Sequence, residues 1–142
     1  MARQLLMDVR VAFNGEIVSL NGAGGEVTMI PFAGTVEGPL FRGVVEPCGV
    51  DTQRVDAAGV RHLSARYMLT GADAERNPAR IFVENNGWYT GGELEWPFHT
   101  VPAFVTDSPR LAEQLNRPGI VGEGSQEADG LHIRFYAPGG ED

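Results

Sequence analysis

The 142-residue chain contains no lysine, so all eleven of its cationic side chains are arginines. That absence removes Schiff-base catalysis and pyridoxal-phosphate attachment, both of which need a lysine amine. Cys48 is the single cysteine, which rules out an internal disulfide, a Cys-x-x-Cys redox pair and a thiolate zinc cluster and predicts a reducing, cytoplasmic setting. No apolar run approaches the roughly 18 residues of a membrane span, and the opening MARQLLMDVR lacks the apolar stretch of a signal peptide. Neither a membrane nor export is expected. Positive charge is scarce as well: eleven basic against nineteen acidic side chains leave a net charge of -8, which repels a phosphate backbone, so nucleic acid is not an expected partner.

What the chain does have is enough apolar mass for one core. With 42% hydrophobic residues, folding leaves roughly 7,000 Å² exposed against about 22,000 Å² for the extended chain, and one domain over residues 1–142 is expected. Nineteen glycines and nine prolines are spread along the sequence, where they punctuate short period-two runs of Val, Ile, Phe, Tyr and Thr, the signature of strands. Leu5, Met7, Val9, Val11 and Phe13 alternate with polar residues, and Asn14-Gly15 suits a tight turn into a strand at 16–20, which predicts a first hairpin. Residues 21–25 read as a loop. Further strands are predicted at 26–36, 40–46, 51–56, 61–70, 79–86, 98–106, 119–124 and 131–138, with Pro47-Cys48-Gly49 as one of the intervening turns. One helix is predicted, capped by Asp107 or Ser108, opened by Pro109 and ended by Asn116 and Pro118. The fold class is mainly β: a closed antiparallel barrel or a sandwich of about nine or ten strands with one short helix.

The ordered set Gly34-Thr35-Val36-Glu37-Gly38-Pro39, Pro47-Cys48-Gly49-Val50-Asp51, Leu63-Ser64-Ala65-Arg66-Tyr67, Asn86-Gly87, Pro102-Ala103-Phe104 and Leu115-Asn116-Arg117 to Gly122-Glu123-Gly124 resembles the DUF3237 (UPF0311) family of small β-barrel proteins, from about residue 5 to 138. The resemblance implies an antiparallel barrel with one short helix, forming homodimers, in a family with little established function. Asp51 and Asn116 enter the candidate site through it; the bland readings are an Asx turn and a helix end. The sequence departs from the commoner pattern at Thr52, at Ser64 and at Trp88-Tyr89.

Motifs for cofactors are missing. His62, His99 and His132 stand apart, without His-x-His or His-x-x-x-His spacing, so no metal is expected. Gly122-Glu123-Gly124 and Gly22-Ala23-Gly24-Gly25 lack the rest of a dinucleotide fingerprint. None of the four serines sits in a Gly-x-Ser-x-Gly elbow. No cofactor is expected.

Candidate polar groups come from strand parity. Arg80, Phe82, Glu84 and Asn86 share one face, and that row either lines the barrel or faces solvent. Arg66 and Tyr67 point to opposite faces. Tyr67 shares parity with Leu63, Ala65 and Leu69, which makes it the preferred interior hydrogen-bond donor, its alternative being a core aromatic with a satisfied hydroxyl. His132, Arg134 and Tyr136 form the polar row of the last strand. Trp88, Tyr89, Trp96, Phe98 and Phe104 lie around Gly91-Gly92 and suggest an aromatic lip, over a ligand or at a protein interface.

Three functions compete. The first is a cofactor-independent isomerase, cyclase or lyase acting on a small, partly apolar, oxygenated metabolite. Glu84 or Asp51 would be its base and Tyr67 a catalytic donor, with Asn86, Arg66, Trp88, Tyr89, His99, Phe104, Asn116 and Tyr136 contacting substrate. The second is a ligand-binding barrel without catalysis, and the third a structural dimerisation module.

Overall fold

In the computed structural model, which describes residues 3–90 and 94–139, the alternating segments form nine strands and one helix. These are β1 (Leu5–Phe13), β2 (Val18–Gly22), β3 (Gly25–Glu37), β4 (Phe41–Val55), β5 (Arg61–Asp73), β6 (Pro78–Tyr89), β7 (Phe98–Thr106), α1 (Pro109–Leu115), β8 (Val121–Glu127) and β9 (Gly130–Tyr136). All lie in one antiparallel sheet of order β1-β9-β8-β7-β6-β5-β4-β3-β2, and a further pairing of β1 with β3 closes eight of the strands into a barrel. Closure satisfies the edges that an open sheet would expose. No helix among the described residues is long and apolar enough to cross a membrane.

Three expectations are corrected at the turns. Asn14-Gly15 does not make a hairpin: β1 and β2 run in the same direction along β3, pairing Phe13 with Phe32 and Val18 with Met29, and residues 14–17 are the kink between them. The first hairpin turns instead at Ala23-Gly24, where Gly22 pairs with Gly25; glycine at Gly25 accommodates a φ of 131° that most side chains would resist. Pro47-Cys48-Gly49 is a bulge within β4, because pairing with β5 stops at Val45 and resumes at Val50. The segments at 40–46 and 51–56 are therefore one strand.

The interior is stacked in layers, as the pleat of a small barrel requires. Val45, Leu69 and Ile81 pair across β4, β5 and β6 in one layer. Above it Phe32, Gly49, Tyr67, Val83 and Phe104 align. A side chain at Gly49 would meet the Phe32 carbonyl oxygen at 2.8 Å and Tyr67 Cβ at 3.1 Å, so glycine there admits the edge-to-face contact of Phe32 and Tyr67, 5.1 Å between centroids. The expected helix follows β7 at the end remote from Phe98. Ser108 Oγ accepts from the Leu111 N–H at 3.1 Å, and Leu111 and Leu115 are buried in the core, each stabilising the fold by roughly 1.5–3 kcal/mol. This end of the barrel is filled. The other holds a cavity.

Outside the barrel, β9 is tied to β1 by charge. His132 bonds Asp8 at 2.8 Å through Nδ1 and Asp129 at 2.7 Å through Nε2. Arg134 donates to Asp8 at 3.1 Å and to Glu127. Carboxylates only accept, so the doubly protonated imidazolium is the form of His132 that can donate to both Asp8 and Asp129. Burial alone would lower its pKa, but the bonds and charges of Asp8 and Asp129 outweigh burial and raise it above 6.5.

Two outcomes follow for stability. Alanine at Gly34, where φ is 145° and a Cβ would lie 2.0 Å from the Arg10 carbonyl oxygen across the closing seam, lowers unfolding free energy by about 3 kcal/mol in urea titration. Gly59→Ala, with φ 83° but open space around it, costs only about 1 kcal/mol; equal losses would mean that the seam is pliable. The His132 contribution is fully present below pH 6.5 and fades as pH rises through the higher folded pKa. The stability gap between the wild type and His132→Gln therefore shrinks above pH 6.5, and a gap constant from pH 6 to 9 would contradict the imidazolium assignment.

Candidate functional site

The cavity occupies the half of the barrel opposite α1 and measures about 220 Å³, against roughly 150 Å³ for an apolar cavity that admits benzene. One layer of inward positions crosses it: Ile30, Asp51, Ala65, Asn85 and Pro102, paired strand to strand from β3 to β7. The small Ala65 lies between Asp51 and Asn85, with strands about 4.8 Å apart, so two polar side chains flank a gap. Tyr67 is one layer deeper. Leu63 and Gln53 are one layer nearer the mouth, paired with each other, and Trp96 meets Phe98 edge to face there, 5.2 Å between centroids.

Room for Phe98 and Thr100 comes from glycine on the neighbouring strand β8, which pairs with β7. A Cβ at Gly122 would lie 2.3 Å from Thr100 Oγ1, and one at Gly124 would overlap the Phe98 ring. Their absence lets β7 turn Phe98 and Thr100 into the barrel.

Five buried side-chain polar atoms among the described residues lack a hydrogen-bond partner, and three of them, Tyr67 Oη, Asn85 Oδ1 and Thr100 Oγ1, belong to this cavity's lining. Each such atom costs roughly 1–3 kcal/mol when left unpaired. All three residues are about 95% buried: Tyr67 is 4%, Asn85 5% and Thr100 4% exposed. Asp51 accepts from Gln53 Nε2 at 2.9 Å, and Gln53 Oε1 in turn accepts from Arg61 at 3.1 Å at the rim. Burial pushes the Asp51 carboxyl above its ordinary 3.8, partly opposed by the Gln53 bond. Burial, and then the Asp51 charge, push the Tyr67 hydroxyl well above its ordinary 10. Tyr67 therefore stays a neutral donor beside a carboxyl that ionises late.

The other expected residues lie elsewhere. Glu84 and Asn86 share a face as predicted, but it is the outer one: they bond each other at 3.0 Å, and Glu84 lies 3.8 Å from Arg66, which is also outside and exposed. A charged row flanks the apolar row of Ile81 and Val83, and the apolar row turns inward. Trp88 is exposed, and with Tyr89 and His99 it borders a second, more open depression beside the mouth, which shares Leu63 and Phe98 with the cavity lining. His99 is outside, 3.4 Å from Glu123. Phe104 is buried below the cavity against Phe135. Asn116 caps α1, and Tyr136 lies outside under the Arg3 guanidinium. Of the aromatic lip, Trp96 and Phe98 reach the cavity; Gly91-Gly92 fall outside the described residues. The residues that sequence reasoning passed over are Asn85, Gln53 and Thr100. For Asn85 the signal was present, in its parity with Ile81 and Val83.

Glu127, Asp129 and His132 bring potential metal ligands within 4.8 Å of one another, but both His132 nitrogens are taken by carboxylates. A metal there would have to displace an existing bond.

Comparison with known proteins agrees with this architecture. Residues 2–137 match the model of the family described as a protein of unknown function, DUF3237. A UPF0311 protein of Clostridium acetobutylicum is 36% identical over 127 residues, covering 79% of this chain and 77% of its own. The crystal structure of a protein of unknown function from Clostridium acetobutylicum aligns with a TM-score of 0.76 at 28% identity, over 97% of this chain and 99% of that one. An enzyme from Penicillium herquei shares the fold at a TM-score of 0.65 and 17% identity, over 94% of this chain and 92% of that one. On the match across nearly its whole length and the curated relative above a third identical, the chain belongs to the DUF3237 (UPF0311) family.

Proposed function

We propose that the barrel binds a small, partly apolar, oxygenated metabolite in its open half and performs cofactor-independent proton transfer on it, of the kind that isomerisation, cyclisation or elimination requires. One observation carries this reading: Asp51, a desolvated carboxyl whose hydrogen-bond partner is the uncharged Gln53, faces a cavity in which Tyr67 Oη, Asn85 Oδ1 and Thr100 Oγ1 lack partners. A carboxylate removed from water holds its proton more tightly and becomes a stronger base toward a substrate C–H or O–H. The hydroxyl of Tyr67, a residue only 4% exposed, donates to the substrate oxygen on which charge develops. Thr100 can give a second such bond. Asn85 Oδ1 accepts from a substrate hydroxyl and fixes its orientation. That a barrel of this fold in Penicillium herquei is described as an enzyme supports catalysis on this scaffold.

The same polar atoms would serve a carrier that binds without converting, and Asp51→Asn separates the two. The amide keeps the shape and the acceptor for Gln53 but cannot take a proton. With the small molecule that co-purifies with the protein, identified by mass spectrometry, as substrate, Asp51→Asn lowers turnover by about 10²–10⁴-fold while affinity changes little. Unchanged turnover removes Asp51 from the mechanism, and binding with no turnover in the wild type favours the carrier.

Stability moves the opposite way. A carboxyl whose folded pKa is raised makes folding less favourable once pH exceeds 3.8, and the penalty is complete above the folded pKa. Asp51→Asn therefore melts higher than the wild type at pH 7, and the difference closes below pH 3.8. A variant that melts lower at pH 7 would show the carboxylate to be stabilised rather than strained.

A further inference from the structure

The cavity and the outer surface treat charge in opposite ways. Outside, carboxylates meet cations: Asp8 has His132 and Arg134, and Glu123 has Arg3 and His99. Inside, the described lining contains one carboxyl, Asp51, and no Arg or His side chain. Arg61 stands at the rim, but it donates to Gln53 and lies 3.9 Å from Glu26. An anion entering this space would shed its hydration against Ile30, Phe32, Leu63 and Phe98, gain no counter-ion and face a second negative charge. An uncharged ligand meets a balanced set instead: acceptors on both sides of Ala65, at Asp51 and Asn85 Oδ1, and donors at Tyr67 Oη and Thr100 Oγ1.

We infer that the cavity is built for an uncharged ligand that both donates and accepts hydrogen bonds, seated over Ala65, and that Asp51 is the residue that shuts anions out. This rests on the reading that a ligand occupies the cavity, and it adds the ligand's charge class and the residue that selects it. Ala65 sets the space available, since any larger side chain there would fill the gap between Asp51 and Asn85.

Benzamide and benzoate test this, because they share size and shape and differ in charge. At pH 8 benzoate is fully ionised, while benzamide offers an N–H₂ donor and a carbonyl acceptor. Titrated into the full chain and followed by NMR, benzamide binds at least tenfold more tightly than benzoate. In Asp51→Asn that ratio falls at least threefold, because benzoate gains. Ala65→Leu loses benzamide binding while circular dichroism and the melting temperature report a folded barrel; if leucine prevents folding, Ala65→Val takes its place with the same expectation. Benzoate binding as tightly as benzamide to the wild type, or a ratio unchanged in Asp51→Asn, overturns the charge selection and leaves the cavity as a binding site. No binding of either probe, or benzamide binding untouched at Ala65, overturns the occupied cavity itself.

Discussion

The seam between β1 and β3 is the constraint from which the rest follows. β3 is long enough to serve two strands: residues 32–37 pair with β1 and residues 25–29 with β2. The first pairing closes the barrel, and the second extends the sheet past the seam. Closure gives each of the eight barrel strands an inside and an outside, and because side chains alternate between them, register decides which row of each strand is buried. At the seam the backbones approach so closely that Gly34 has no space for a side chain. The register shift beside it, between Phe32 and Gly34, lets β3 bend from one partner to the other.

Given closure, the two halves of the interior are filled by different rules. Toward α1, Leu69, Ile81, Val36 and Phe135 are fully buried and interlock with Leu111 and Leu115. Toward the mouth, Ala65 and Asn85 occupy layer positions where large apolar residues would have completed the packing. The substitution of small and polar for large and apolar loses burial energy and leaves acceptors and hydroxyls unpartnered. A fold that needed only stability would fill this space, and functional sites are where such local costs persist.

Much of this was legible in the sequence. The strand segments were, because period-two alternation is written into runs such as Leu131, Ile133 and Phe135; the helix was, because Ser108, Pro109 and Asn116 mark its ends. Asp51 came in through family resemblance and Tyr67 through parity with Leu63 and Leu69, and both line the cavity. Turns were less legible. Asn14-Gly15 has hairpin chemistry but lies where β1 must bend along β3, and Pro47-Cys48-Gly49 has turn chemistry but is absorbed as a bulge, since long-range pairing overrides local preference. For Glu84 and Asn86 the alternation was right and the face was left open between barrel interior and solvent; the structure puts them outside. Parity says which residues travel together, while the choice of side depends on which row is apolar, and Ile81 and Val83 decided it for Asn85. Thr100 shares parity with Phe98 and Phe104, but the room it needs beside Gly122, some twenty residues away, was not legible.

Aspartates and glutamates in this chain meet two kinds of surroundings. On the outside, hydrogen bonds from Arg134 hold Glu127 down to about 2, and a bond to His132 lowers Asp129; such groups are committed anions, useful for tying strands together and poor at exchanging protons near neutrality. Asp51 is the reverse case. Its strand carries it into a space with no cation to stabilise its charge, and burial moves its titration upward, toward the range where a group can both take and return a proton. The same absence of cations makes the cavity unwelcoming to anions. Acid–base competence and selection by charge are thus two consequences of one placement: a carboxyl turned inward at the layer where the barrel is left unfilled.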